Sequence, residues 1–185
     1  MMMAAYRFST WMTWALVIGM IWTVISRVQP DSAQASPGSV AKEGFSAPDF
    51  KLDLLDGGTI TLSELKGKVV LVNFWTSWCP PCRKEMPAIE SVYRSYKDLG
   101  LIVIGLNLTA QDSKQAAALF AQEVGVSFPI ALDLDNSVGI LYRVTALPTS
   151  FFIDRNGVIR SVIVGGPMSE ALIQSKVEEL LREDQ

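Results

Sequence analysis

The arrangement of hydrophobic and polar positions divides the chain into three parts. Residues 8–26 are uncharged and almost continuously apolar, whereas residues 30–44, PDSAQASPGSVAKEG, are rich in Pro, Ser, Ala and Gly. Beyond them, short apolar runs alternate with amphipathic stretches, as in a folded domain. We therefore expect an apolar N-terminal segment at 1–29, a flexible tether at 30–44 and a globular domain at 45–185.

The N-terminal segment is long enough to cross a membrane as one helix. Residues 8–26 would extend about 28 Å at 1.5 Å per residue, close to the roughly 30 Å hydrocarbon thickness of a bilayer. The alternative is a signal peptide cleaved after Ala35, because Ala33-Gln34-Ala35 has the small-x-small pattern. Since that site lies well beyond the apolar run, we favour a retained single-pass anchor in the cytoplasmic membrane. In either case we expect the globular domain on the extracytoplasmic, or periplasmic, side.

Strands and helices alternate through the globular part. The pattern predicts strands at 50–54, 59–62, 69–75, 101–108, 128–134, 149–153 and 158–164, and helices at 80–99, 113–124, 136–142 and 169–182. The first two strands flank Asp56-Gly57-Gly58 and the last two flank Arg155-Asn156-Gly157, and both tripeptides are typical of hairpin turns. This order predicts an α/β fold, with a central mixed sheet covered by helices on both faces.

Composition narrows the range of functions. The chain has 16 basic and 19 acidic residues and a formal net charge of −3. These charges form no basic stripe, which argues against nucleic acid as a partner. The chain contains no histidine. Hydrolases that need an imidazole base are therefore excluded, and the commonest metal ligand is missing.

The two cysteines of the chain, Cys79 and Cys82, lie together in NFWTSWCPPCRKEMP. Zinc needs four ligands, which two cysteines without histidine do not supply. Covalent haem attachment needs a histidine where this chain has Arg83. A structural disulfide across so short a loop would stabilise little. Redox exchange remains, and it suits a CxxC placed where a buried strand leads into a helix.

The position of Cys79 predicts its role. We expect it to be the N-cap or to lie just before the helix, where unpaired N–H groups and the helix dipole favour a thiolate. Cys79 would attack a client disulfide and form a mixed disulfide. Cys82, one turn further on and more buried, would then attack Cys79 and release the reduced client.

The stretch from Val72 to Cys82 resembles the active-site strand and helix of thioredoxin-like proteins. The resemblance covers roughly residues 45–185 and includes Leu147-Pro148-Thr149 and the late hairpin. It implies a cis peptide bond before Pro148, with Leu147 and Pro148 beside the CxxC in the client groove. The stretch 112–136 would be a helix and strand inserted into the thioredoxin plan.

The insert, the N-terminal β-hairpin and the anchor together resemble the TlpA/ResA-like group of exported thiol-disulfide oxidoreductases. That resemblance implies clients that are disulfide-containing exported proteins, including the haem-attachment cysteines of apocytochrome c. It implies electrons from a membrane partner of the CcdA/DsbD type. No cofactor beyond the redox-active Cys79–Cys82 disulfide is expected, and no metal.

The chain also departs from thioredoxin. Asn73 replaces the buried Asp that accepts a proton there, and Gly105 replaces a Lys on the next strand. Glu85, one turn after Cys82, is the candidate substitute for that acid, as in ResA-like proteins. The alternative is that Glu85 is a solvated helix residue.

Three further residues affect the thiols. Pro80 and Pro81 lack N–H groups, so the helix end offers fewer donors to a Cys79 thiolate, and we expect a reducing potential. Trp78 is expected on the rim of the client site with the two prolines.

The competing functions are a disulfide oxidase or isomerase using the same dithiol, a peroxidase, and a copper-binding module of thioredoxin fold.

Overall fold

The computed structural model describes residues 41–182. The predicted anchor at 1–29, the cleavage site after Ala35 and most of the tether at 30–44 lie outside the described residues. Between residues 41 and 182, no helix is both long enough and apolar enough to span a bilayer.

The regular elements follow the predicted order. The strands are β1 (Lys51–Leu54), β2 (Thr59–Thr61), β3 (Val69–Trp75), β4 (Leu101–Asn107), β5 (Ile130–Leu132), β6 (Thr149–Ile153) and β7 (Ile159–Val164). The helices are α1 (Pro80–Tyr96), α2 (Lys114–Val124), α3 (Ser137–Leu141) and α4 (Glu170–Arg182). Short 3₁₀ turns lie at Leu62–Leu65, Lys97–Leu99 and Thr109–Gln111.

Within the described residues the strands form one seven-stranded mixed sheet, in the order β2-β1-β5-β4-β3-β6-β7. Strands β3, β4 and β5 are parallel to one another, and β1 and β6 run antiparallel to the strands beside them. Seven consecutive residues of β3 are buried. This burial explains the apolar run of β3, which is interrupted only by Asn73.

Two hydrophobic cores lie on opposite faces of the sheet. Alternate β3 residues point to opposite sides, so Val69, Leu71 and Trp75 enter one core and Val70, Val72 and Phe74 the other. Helices α1, α2 and α4 pack on the first face, and α3 contributes to the second. The predicted mixed sheet with helices on both faces is therefore confirmed.

The predicted insert is also present. Helix α2 begins after Ser113, whose hydroxyl accepts the N–H of Ala116 as an N-cap. Strand β5 then pairs in parallel with β4 and antiparallel with β1, so it joins the N-terminal hairpin to the sheet. It is shorter than predicted at 128–134. Pro129 has no N–H for the ladder, and Leu134 is exposed beyond the end of the strand.

Gly105 in β4 accommodates the insert. A Cβ atom at this position would lie 2.8 Å from Cε2 of Phe128 and 3.3 Å from Nε1 of Trp75. The ring of Phe128, just before β5, therefore fills the space that a side chain at position 105 would occupy. The absence of a side chain at position 105 is thus explained by packing.

We expect Gly105→Ala to lower the free energy of unfolding by about 1–3 kcal/mol, the usual cost of overpacking a core. Urea unfolding of the oxidised protein measures it. Phe128→Leu removes the colliding ring atoms, so the double variant should lose less stability than the sum of the two single losses. Additive losses would show that Phe128 is not what excludes a side chain at position 105.

Candidate active site

Cys79 is the N-cap of α1, as predicted. Its backbone is extended, with φ −79° and ψ 110°, and Pro80 and Pro81 form the first helical positions. The cap hydrogen bond runs from the N–H of Cys82 to the sulfur of Cys79, over 3.3 Å. Because the two prolines have no N–H, Cys82 provides the first donor that the helix can offer this sulfur.

Cys79 and Cys82 form a disulfide, with an S–S distance of 2.02 Å. Both residues are buried, but not equally: Cys79 is 3% exposed and Cys82 0%. Cys79 also lines an open cavity that Cys82 does not reach. Of the two sulfurs, only that of Cys79 is thus placed to meet an incoming disulfide.

This cavity, of about 320 Å³, lies beside Cys79 and has no charged side chain in its wall. Its lining residues are Trp78, Cys79, Pro80, Pro81, Leu108, Gln111, Val144, Thr145, Ala146 and Leu147. Trp78 is 59% exposed and donates its indole N–H to the carbonyl of Gln111, over 2.8 Å. Four of the residues predicted to bind the client, Trp78, Pro80, Pro81 and Leu147, therefore surround one opening.

Pro148 is placed differently from these four. The Leu147–Pro148 bond is cis, as the resemblance to thioredoxin-like proteins implied. Pro148 itself is buried and does not line the cavity. It directly precedes β6, whose Thr149 pairs with Phe74 near the end of β3 that leads to the cysteines. A second cis bond, Gly166–Pro167, was not predicted.

Glu85 is fully buried, so its interpretation as a solvated helix residue is wrong. Its carboxylate accepts hydrogen bonds from Nδ2 of Asn73, over 2.8 Å, and from the N–H of Met168, over 2.9 Å. Burial raises the pKa of Glu85, and these two hydrogen bonds oppose that effect. A raised pKa suits a group that exchanges protons near neutrality. Its catalytic role stays a prediction.

Asn73 ties Glu85 to the neighbouring strand. Its Nδ2 also donates to the hydroxyl of Ser150, over 2.9 Å, because Asn73 and Ser150 are direct partners in the β3–β6 ladder. Replacement of the thioredoxin Asp by Asn73 therefore provides a donor for a new carboxylate. Sequence reasoning did not find Ser150 or Met168, because only the folded chain brings them to Glu85.

Gly166 packs against Glu85 and Pro148. A Cβ atom there would lie 2.7 Å from Oε2 of Glu85 and 2.7 Å from Cγ of Pro148. The next residue but one, Met168, donates its N–H to the same carboxylate oxygen. The backbone at 166–168 is thus fitted against both the buried acid and the cis-proline.

Comparisons with known proteins agree with this geometry. The sequence profile of the AhpC/TSA family matches residues 44–162. The chain belongs to this family. It is 41% identical to thiol-disulfide oxidoreductase ResA of Bacillus subtilis over 131 residues, which cover 71% of this chain and 72% of that protein. It is 39% identical to thioredoxin-like protein YneN of the same organism over 138 residues, 74% of this chain and 79% of that one.

A solved structure of a related protein has the same fold. A putative thiol:disulfide interchange protein DsbE from Chlorobium tepidum superposes with a TM-score of 0.70 at 35% identity, covering 76% of this chain and 98% of that one. The thioredoxin-like α/β fold and the resemblance to ResA-like proteins are thereby confirmed. The protein is a thiol-disulfide oxidoreductase that exchanges electrons through its CxxC dithiol.

If the client is the partner that is reduced, the placement of the two sulfurs gives the following steps of the exchange. The thiolate of reduced Cys79 attacks one sulfur of the client disulfide, and the other client sulfur leaves and takes up a proton. The thiolate of Cys82 then attacks the sulfur of Cys79, and the second client sulfur leaves. Two electrons have passed to the client, and the Cys79–Cys82 disulfide has formed.

We expect Glu85→Gln to change how stability depends on pH in the oxidised enzyme. Because the pKa of Glu85 is raised in the folded state, the native protein binds this proton more tightly than the unfolded chain does. The stability gained from this tighter proton binding is complete below the unfolded pKa of about 4.3 and is lost as the pH rises through the native pKa. Gln at position 85 has no such proton to release, so the free energy of unfolding of the variant, relative to wild type, should increase from acid to neutral pH.

Urea unfolding of both proteins across that range measures the difference. Glu64→Gln changes an exposed carboxylate in a 3₁₀ turn and serves as the control. A difference between Glu85→Gln and wild type that does not vary with pH would show that Glu85 does not titrate in this window.

Proposed function

We propose that this oxidoreductase is a reductase of disulfides in exported proteins, acting outside the cytoplasmic membrane. The observation that carries the proposal is the poorly capped sulfur of Cys79, with proline at the first two helical positions and one N–H donor at 3.3 Å. A thiolate with few donors is less stabilised, so the reduced dithiol is the less stable form and gives up electrons readily.

The buried carboxylate supports the same direction. Glu85 lies one turn beyond Cys82 on α1, and it is fully buried. A carboxylate at this depth disfavours a second negative charge nearby, which opposes formation of a thiolate. When protonated, it provides the proton that a leaving thiolate needs. Both properties suit a dithiol that is oxidised by its client.

The proposed location rests on the amino-terminal sequence. The apolar residues 8–26 and the tether that follows are suited to hold the domain at the outer surface of the cytoplasmic membrane. A membrane protein of the CcdA/DsbD type would then return electrons to the Cys79–Cys82 disulfide. The proposed client is an exported protein with a disulfide in an accessible segment, with the haem-attachment cysteines of apocytochrome c as the leading candidate.

The uncharged cavity supports a polypeptide client. Its wall combines apolar side chains with the segment 144–147, which leads directly into the cis-proline. An extended client segment next to a disulfide can place uncharged side chains there while its sulfur meets Cys79. An oxidase or isomerase would use the same surface, so the reduction potential distinguishes the proposed reductase from those alternatives.

We expect a reduction potential closer to that of thioredoxin, about −270 mV, than to that of DsbA, about −120 mV. Equilibration with dithiothreitol buffers, followed by alkylation of free thiols, measures it. Pro81→Ala restores an N–H at the second helical position, where it can donate to the capping sulfur. One such bond to a thiolate, worth about 1.5 kcal/mol, should raise the potential by about 30 mV.

Pro80→Ala is the matched control, because the N–H at the first helical position does not point to the cap side chain. We expect it to change the potential much less than Pro81→Ala. A wild-type potential near that of DsbA would reject the reductase, and equal shifts for the two variants would reject the capping explanation.

Trapping identifies the client. Cys82→Ser stops the exchange at the mixed disulfide, so the client stays covalently bound to Cys79. We expect the full-length variant to capture exported proteins, including apocytochrome c, as disulfide-linked complexes that dithiothreitol separates. Cys79→Ser is the control and should capture none. Capture of cytoplasmic proteins alone by the full-length chain would contradict the proposed location.

A copper-binding module is the competing function from another class. The chain has no histidine to complete a copper site around the two thiolates. Tight binding in a copper titration of the reduced protein would nevertheless favour it over the reductase.

A further inference from the structure

The loop that precedes Cys79 is fastened to the insert by one carboxylate. Asp112 accepts the N–H of Ser77 over 2.6 Å through Oδ2, and the hydroxyl of Ser77 over 2.7 Å through Oδ1. Both oxygens of Asp112 are therefore used by a residue two positions before the reacting cysteine. Hydrogen bonds of this charge-assisted kind are about twice as strong as neutral ones.

Asp112 is itself held in place. It follows the 3₁₀ turn Thr109–Gln111, directly after β4. The side chain of Asn107, the last residue of β4, donates to Oδ2 of Asp112 over 2.9 Å and accepts the hydroxyl of Thr109 over 2.9 Å. The carboxylate is thus fixed to the end of a buried strand, parallel to and paired with the strand that leads to Cys79.

Burial raises the pKa of Asp112, but hydrogen bonds from Ser77 and Asn107 outweigh this effect and lower it overall. The group is therefore a carboxylate at neutral pH, as its role as an acceptor from several donors requires.

Two further contacts join this loop to its surroundings. The indole N–H of Trp78 donates to the carbonyl of Gln111, next to Asp112 in the chain. On the other side, Nη1 of Arg83 donates to the carbonyl of Ser77 over 3.2 Å, while its Nη2 pairs with Glu123 of α2. Residues 77 and 78 are thus held between α1 and the insert.

We propose that Asp112 is a positioning residue for client binding: it fixes Ser77, and through it sets the Trp78 side chain as a wall of the cavity beside Cys79. Trp78 is 59% exposed, so the protein core does little to hold it. Its position depends on the loop, which Asp112 holds through Ser77, and on the carbonyl of Gln111, the residue before Asp112 in the chain. The inserted segment therefore shapes the site for a polypeptide through its hydrogen bonds to Ser77.

The test compares two substrates of the reduced enzyme. One is a synthetic peptide with an intramolecular disulfide in a Cys-x-x-Cys-His segment, and the other is 5,5′-dithiobis(2-nitrobenzoate), which needs access to Cys79 alone. For Asp112→Ala we expect the apparent KM for the peptide to rise about tenfold, equivalent to about 1.4 kcal/mol. The limiting rate with the peptide and the rate with the small disulfide should change less than about twofold.

Companion variants separate positioning from loss of structure. Asp112→Asn keeps an acceptor oxygen and should give an intermediate KM. Ser77→Ala removes the hydroxyl donor, and its effect combined with Asp112→Ala should be less than additive, because both remove the same contact. Asp98→Asn, an exposed carboxylate in the 3₁₀ turn after α1, is the control and should behave as wild type. If Asp112→Ala does not fold, Asp112→Asn and Ser77→Ala still decide the question.

This inference rests on the proposed preference for polypeptide clients, and its failure can be recognised separately. Wild-type enzyme that does not reduce the peptide would contradict the proposed function. Wild-type enzyme that reduces the peptide with the same KM as the folded Asp112 variants would overturn the role of Asp112. Equal losses of activity with both substrates would also overturn it. They would mean that Asp112 affects the reactivity of Cys79 and not the cavity wall that meets the client.

Discussion

The start of α1 depends on a contact between the N–H of Cys82 and the sulfur of Cys79. Most helices are capped by an oxygen that takes no part in chemistry. Here the capping atom is the atom that reacts, and its only donor in the first turn belongs to the other cysteine. Each turnover therefore changes the acceptor at a helix end, from a weak one in the disulfide to a strong one in the thiolate.

This constraint gives the surrounding polar groups their importance. With two prolines at the helix start, the charge of a thiolate has little support from the backbone. In the proposed function, the proton balance therefore depends on a side chain. Glu85 is a buried carboxylate on the same helix, one turn after Cys82. Its hydrogen bonds come from β3 and from the segment before α4. In the proposed function, that carboxylate would connect the sulfur chemistry to the packing of distant segments.

The sequence allowed much of this to be predicted, for physical reasons that differ between features. The apolar run at 69–75, interrupted only by Asn73, predicted β3 because both faces of that strand are covered. The prolines fit the start of α1 because proline suits the first helical turn. The cis bond before Pro148 was accessible only through family resemblance. The contacts of Asp112 with Ser77 and of Glu85 with Met168 span 35 and 83 residues. No local pattern encodes them, since they arise from how the segments pack.

Gly166 has a consequence for how such enzymes can vary. Its backbone fills the space between the ring of Pro148 and the carboxylate of Glu85, and a single methyl group there would displace one or the other. Pro148, which follows the cavity residue Leu147 in the chain, and the buried acid are thus packed against the same glycine. Any residue other than glycine at position 166 would therefore disturb the chain at the cis-proline and the surroundings of the acid together.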